Sequence, residues 1–181
     1  MSGIFLDRDG VLIRKAPEGE YIADWSMVEF LPGALEATAY LSNAGYKLII
    51  VTNQRGVALG KTKEFELLEI HRRIRSAVAN CGGHIAGIYY CPHDLSDRCR
   101  CRKPRAGMLF QGAADYGLNL AQCWIIGDAA TDIGAGKSAG CKTALVTDSQ
   151  DYLCWAEQPD LAGNSLATLA EQITTASIVA K

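Results

Sequence analysis

No stretch of this 181-residue chain comes near the ~20 consecutive apolar residues that a membrane helix requires. The apolar opening at residues 3–7 is too short for a signal peptide and ends on an acid. Net charge is also scarce: the formal value of −2 at pH 7, with no basic stripe, gives no electrostatic reason to expect a nucleic-acid partner. A GxxxxGK phosphate loop is missing, as are internal repeats, low-complexity linkers and blocks of like charge. These absences leave a single domain over residues 1–181, monomeric and cytoplasmic, with no membrane association. In that compartment seven cysteines are expected as thiols or metal ligands rather than as a disulfide framework.

What is present is a regular alternation. Short apolar runs occur at 4–6 (IFL), 46–52 (YKLIIVT), 87–90 (GIYY), 123–127 (CWIIG) and 142–147 (KTALVT). Between them lie segments of helical spacing: residues 32–45, closed by Gly45; Glu64 to Ala79, with Phe65, Leu68, Ile74 and Val78 as its apolar members; and Gly107 to Gly117. The tail from Leu161 onward reads as a last helix capped by Asn164 or Ser165. Strands apolar along their whole length, alternating with helices, predict an α/β fold, a Rossmann-like parallel sheet with helices on both faces. Residues 14–30 and 91–105 fit neither pattern. Each follows a strand, where open parallel sheets place their ligands.

Polar residues gather at the strand ends: Asp7 and Asp9 after the first run, Thr52 and Asn53 after the second, Asp128 and Asp132 after the fourth. Any one of these acids could be a turn or helix-cap carboxylate. Several converging in one crevice would repel one another unless a cation lay between them, and a hard, oxygen-seeking ion such as Mg2+ answers that requirement.

In order along the chain, Asp7-Arg8-Asp9-Gly10-Val11, Thr52-Asn53, Lys103 and Gly127-Asp128-Ala129-Ala130-Thr131-Asp132 resemble the four motifs of the haloacid dehalogenase-like phosphohydrolases. The resemblance implies that Asp7 is a nucleophile forming an aspartyl-phosphate and that Asp9 serves the leaving oxygen as general acid, then the attacking water as base. It implies Mg2+ held by the Asp7 side chain, the Asp9 main-chain carbonyl and Asp128, with Asp132 behind them orienting a bound water or Lys103. Thr52 and Lys103 would face the phosphoryl group, whose spread charge needs fixed donors.

The stretch CPHDLSDRCRCRKP supplies Cys91, His93, Cys99 and Cys101, a complete tetrahedral donor set for a structural Zn2+. Polar flanks argue against four buried free side chains. The loop ends on Arg102-Lys103, so a metal there would fix the lysine. Cys81, Cys123, Cys141 and Cys154 stand in or beside apolar segments and are expected in the core; His71 is expected on a charged helix face.

The same loop, with CPH and CRKPRAGML, resembles two relatives that lack a large cap domain, the D-glycero-D-manno-heptose 1,7-bisphosphate 7-phosphatases and the histidinol-phosphate phosphatases. Gly107-Met108 after the lysine favours the former. Arg55 stands where the family pattern has a small serine. With Arg102 and the segment Lys15, Ala16, Pro17 and Glu18, and beside Asn53 and Gln54, it is a candidate contact for the part of a phosphorylated sugar that is not hydrolysed. A catalytically silent, zinc-stabilised scaffold is the contrasting reading, set against the presence of Asp7, Asp9, Lys103 and Asp128 together.

Overall fold

The computed structural model describes residues 2–179. Six strands, β1 (Gly3–Leu6), β2 (Lys47–Asn53), β3 (Ile85–Cys91), β4 (Trp124–Gly127), β5 (Lys142–Val146) and β6 (Leu161–Gly163), form one sheet in the order β3-β2-β1-β4-β5-β6. Every pairing is parallel. The helices are α1 (Ala34–Asn43), α2 (Glu64–Asn80), α3 (Gly107–Tyr116), α4 (Ala130–Ala139) and α5 (Leu166–Val179).

Side chains of the central strands alternate between two apolar layers, which is why those strands read as unbroken hydrophobic runs. Ile4, Leu6, Leu48 and Ile50 pack with Leu41 of α1, Ile70, Ile74 and Val78 of α2, and Leu169 and Ile173 of α5. Phe5, Ile49 and Val51 pack on the other face with Met108, Leu109 and Ala113 of α3 and Ala135 of α4. The chain builds β1, β2 and β3 outward in one direction, then returns to add β4 beside β1. The strand order therefore reverses between β1 and β4, and the crevice at their carboxyl ends is the switch point where such sheets bind ligands.

Four expectations are corrected. Residues 161–163 form the edge strand β6 ahead of the last helix, whose N-cap is Ser165, its Oγ accepting from the Thr168 amide at 3.2 Å. On α2 the buried face is Leu67, Ile70, His71, Ile74 and Val78, while Phe65 and Leu68 are exposed. His71 is accordingly buried rather than on a charged surface. Cys81 and Cys154 are exposed, and Cys123 and Cys141 are the core thiols. The two irregular segments each hold one 3-10 turn, at Trp25–Met27 and Leu95–Asp97, and the first also holds an isolated bridge from Phe30 to Ile13. Among the described residues no helix is long and apolar enough to cross a membrane.

Candidate active site

The crevice begins where β1 ends. The Asp7 amide donates to Ile126 O at 2.9 Å, extending the ladder with β4, and the chain then turns at Gly10 with φ of 89°. A side chain at Gly10 would strike the Asp128 carboxylate and the Lys15 side chain as well as straining the backbone, so the turn requires glycine. This turn lets Asp7 and Asp9 face one cavity from different sides.

Lys103 is the hub. Its ammonium, 2% exposed, donates to Val51 O at 2.9 Å and is ion-paired with Asp7 Oδ1 at 2.9 Å and Asp132 Oδ1 at 2.5 Å. Burial pulls its pKa down, but the adjacent Asp132 and Asp7 outweigh this and hold it above the ordinary lysine value. Its backbone is fixed as well: Asn53 at the end of β2 donates from Nδ2 to Lys103 O at 3.1 Å, and its Oδ1 accepts from the Lys103 amide at 3.0 Å. An asparagine side chain thus imitates a strand partner and stitches the loop to the sheet.

Asp132, in the first turn of α4, is buried, and its other oxygen accepts from the Ala129 amide at 3.2 Å. A Cβ at Gly127 would overlap Asp132, so close approach of β4 and α4 depends on that glycine. Burial raises the pKa of Asp132, with Lys103 opposing and Asp7 adding to the rise. Burial likewise raises Asp128, while Lys15, paired with its carboxylate, pulls it back. Carboxylate oxygens of Asp7, Asp128 and Asp132 lie within 4.8 Å of one another, a group able to hold a metal ion. All three carry a lysine contact, but the Asp132 side chain is 1% exposed against 13% for Asp7 and 12% for Asp128, which leaves the last two as the more open donors. That a lysine ammonium rests on Asp128 shows the same demand for positive charge.

Asp9 faces this group in a network of its own. Arg8 donates to Asp9 from Nε at 3.1 Å (Oδ1) and from Nη2 at 3.0 Å (Oδ1) and 2.9 Å (Oδ2). Gln54 Nε2 donates to Asp9 Oδ2 at 2.9 Å and to Thr52 Oγ at 2.8 Å. Because the Thr52 hydroxyl accepts there, its own proton is left to point elsewhere.

These side chains surround a cavity of about 230 Å³. Its wall includes Lys15, Ala16, Glu20, Tyr21 and Ile22 from the irregular segment after β1; Pro17 and Glu18 lie outside it, exposed. Arg55 and Arg102 do not line it. Arg55 Nε pairs with Asp94 Oδ1 at 2.5 Å, and Arg102 has a buried Nη1 with no hydrogen-bond partner among the described residues. Sequence reasoning passed over Arg8, Glu20 and Tyr21. Arg8 had a signal, a cation inside an apolar segment between two acids; Glu20 and Tyr21 had none, because an irregular loop carries no periodicity.

The four soft donors form a second cluster. His93 Nδ1 lies 3.5 Å from Cys91 Sγ and 3.2 Å from Cys101 Sγ, and Cys91 Sγ lies 3.5 Å from Cys99 Sγ. A tetrahedron with metal bonds of 2.0–2.3 Å has edges of roughly 3.3–3.8 Å, so the donors are spaced for one ion. Burial pushes the Cys91 thiol up to about 12, a cost that a bound cation would remove. Cys91 ends β3, and the loop runs from it through Lys103 into α3. At the start of α3, Gly107 lies so close to Arg100 O that a Cβ would clash.

A HAD-hydrolase-like family model matches residues 100–169. The D-glycero-beta-D-manno-heptose-1,7-bisphosphate 7-phosphatase of Pseudomonas aeruginosa is 39% identical over 143 residues, 79% of this chain and 79% of the relative. The enzyme of the same name from Yersinia pestis is 33% identical over 94% of both chains. Among solved structures, the D,D-heptose 1,7-bisphosphate phosphatase of B. bronchiseptica, complexed with magnesium and phosphate, superposes with a TM-score of 0.89 at 34% identity, covering 97% of this chain and 99% of that one. The fold, the order of the four polar clusters and these likenesses have one meaning: the chain belongs to the haloacid dehalogenase-like phosphohydrolases, in the family of the heptose 1,7-bisphosphate 7-phosphatases.

Proposed function

We propose that this protein removes the 7-phosphate of D-glycero-D-manno-heptose 1,7-bisphosphate, the β anomer first, through an aspartyl-phosphate on Asp7. The observation that carries the chemistry is the placement of Asp7 against the buried Lys103 ammonium with Asp9 across the same cavity. The substrate follows from the names of relatives alike over most of the chain.

In the first step an Asp7 carboxylate oxygen attacks phosphorus, the bond from phosphorus to the sugar oxygen breaks, and Asp9 delivers a proton to that oxygen. In the second, Asp9 takes a proton from water as the water oxygen attacks phosphorus. The bond to Asp7 breaks, and inorganic phosphate leaves. Lys103 offsets charge on Asp7 throughout, and the Thr52 hydroxyl proton is available to a phosphoryl oxygen because Gln54 occupies its acceptor side. Asp7, Asp128 and the Asp9 main-chain carbonyl would hold Mg2+, whose charge would let a phosphate dianion enter among carboxylates. Asp132 would keep Lys103 in place from behind. Cys91, His93, Cys99 and Cys101 would hold a structural Zn2+, which suits a cytoplasmic setting where thiols stay reduced.

For the second phosphate, Arg102 is the stronger candidate than Arg55, since its buried Nη1 lacks a partner whereas Arg55 is engaged by Asp94. Glu20 and Tyr21, with Lys15 and Ala16, line the cavity and would meet the sugar.

The test is phosphate release from both heptose bisphosphate anomers, histidinol phosphate and common sugar and nucleotide phosphates, with and without Mg2+. The heptose bisphosphates should give the highest kcat/KM. Preference for histidinol phosphate, or turnover retained by Asp7→Asn, would overturn the assignment.

A further inference from the structure

Arg8 is among the largest fully buried side chains of the protein, 1% exposed, and its guanidinium is spoken for on every side. Nε and Nη2 grip Asp9, and Nη2 also donates to Gln54 Oε1 at 3.1 Å. The remaining group, Nη1, points away from the cavity toward α2, where it lies 3.4 Å from His71 Nε2. An arginine has only donors, so His71 Nε2 must be the acceptor and the ring proton sits on Nδ1. That requires a neutral ring. Burial, with Arg8 and then Arg75 as neighbouring cations, holds the His71 pKa down to about 3, so the ring stays neutral at working pH. Tyr90 packs against the imidazole with ring centroids 5.6 Å apart, and its hydroxyl donates to Glu64 at 2.7 Å, so the ring has little freedom.

From this chain of contacts we infer that His71 is a positioning residue for the reaction: by taking one arm of Arg8 from α2, it fixes the guanidinium plane and through it the direction in which Asp9 presents its carboxyl to the leaving group. A planar fork gripping a carboxylate transmits orientation in a way a point charge does not. Gln54 completes the frame from β2, tying Asp9 to Thr52. His71 itself does not line the cavity, so it acts only through Arg8.

The inference rests on the reading of Asp9 as the acid, and the experiment separates the two. A poor leaving group, an alkyl sugar phosphate, needs a proton delivered as its bond to phosphorus breaks; 2,4-dinitrophenyl phosphate does not. We would compare kcat/KM, which reports steps through leaving-group departure, for both esters in His71→Leu, His71→Gln and Asp9→Asn. His71→Leu should lose about tenfold on the sugar phosphate and less than about twofold on the dinitrophenyl ester, and His71→Gln, whose side-chain oxygen can accept from Arg8, should recover most of the loss. If Asp9→Asn shows no such selectivity, the acid assignment fails. Selectivity in Asp9→Asn together with equal losses, or none, in folded His71→Leu would overturn the role of His71 alone. Should His71→Leu not fold, Arg8→Lys, which keeps the buried charge but loses the fork, carries the same comparison, and equal losses on both esters would overturn the inference.

Discussion

Lys103 and Asp132 meet at 2.5 Å with side chains 2% and 1% exposed; Arg55 and Asp94 meet at the same 2.5 Å with theirs 36% and 28% exposed. The equal distances hide different physics. The first pair lies where water cannot screen it, is tied to Asp7 and Val51 as well, and has no alternative arrangement available without stranding a charge. The second lies at the rim, screened by solvent and free to exchange partners. The same division runs through the whole site. The candidate reacting groups sit at strand ends, apart from Lys103, which the loop after β3 carries into the interior, and the proposed recognition groups lie in the irregular segments after β1 and β3. On the proposed reading, chemistry common to many phosphate esters would be held rigidly and the part that chooses among them left adjustable.

That division can be broken in several places. The largest effect belongs to Asp7→Asn, which should lower turnover by about 10⁴-fold in phosphate-release assays while leaving the fold intact. Next is Lys103→Met, which leaves Asp132 and Asp7 buried without their cation; chemical denaturation should show about 3–5 kcal/mol lost, and adding Asp132→Leu should restore part of it. Third, Cys101→Ser or a zinc-selective chelator should lower the unfolding temperature measured calorimetrically by several degrees, since the loop loses its clamp. An unchanged transition would overturn the proposed structural zinc.

A pH effect comes fourth. The folded pKa of His71 lies below its unfolded value of 6.5, so between roughly pH 6.5 and 3 the unfolded chain binds more protons and stability from this site is lost as pH falls. His71→Gln should make urea midpoints fall less steeply across that window. The smallest effect is expected at Arg55→Ser: an unchanged unfolding temperature, and at most about a fivefold rise in KM for a bisphosphate, below that of Arg102→Ala. If Arg55→Ser were as damaging as Lys103→Met, the contrast between rim and interior would fail.

Five of the six strands were legible because a strand buried on both faces has no polar residue to interrupt it, and the sheet type followed from that. Strand β6 was not, because three half-buried residues, LAG, carry no pattern and lie directly before a helical one. On α2 the true face, Leu67, Ile70, Ile74 and Val78, was present in the spacing. Phe65 and Leu68 drew attention by size alone, and choosing them rotated His71 outward. The candidate nucleophile, acid, lysine and acidic cluster could be named because few residue types serve that chemistry and they occur in order. The cavity wall at Glu20 and Tyr21 was hidden because loop geometry is set by contacts that no periodicity records.

The strand order has a consequence for the newborn chain. Asp7 is made well before its partners: its strand lies inside the sheet, and one of its two neighbours, β4, begins only at residue 124. Lys103 and Asp132 also arrive late. Until β4 is made the chain therefore carries the candidate nucleophile on a strand with one unpaired edge, and until residue 103 it lacks the lysine that pairs with it. It gains a site only when the later half docks, so a ribosome stalled before β4 would display a fragment suited to capture by chaperones and inert toward phosphate esters.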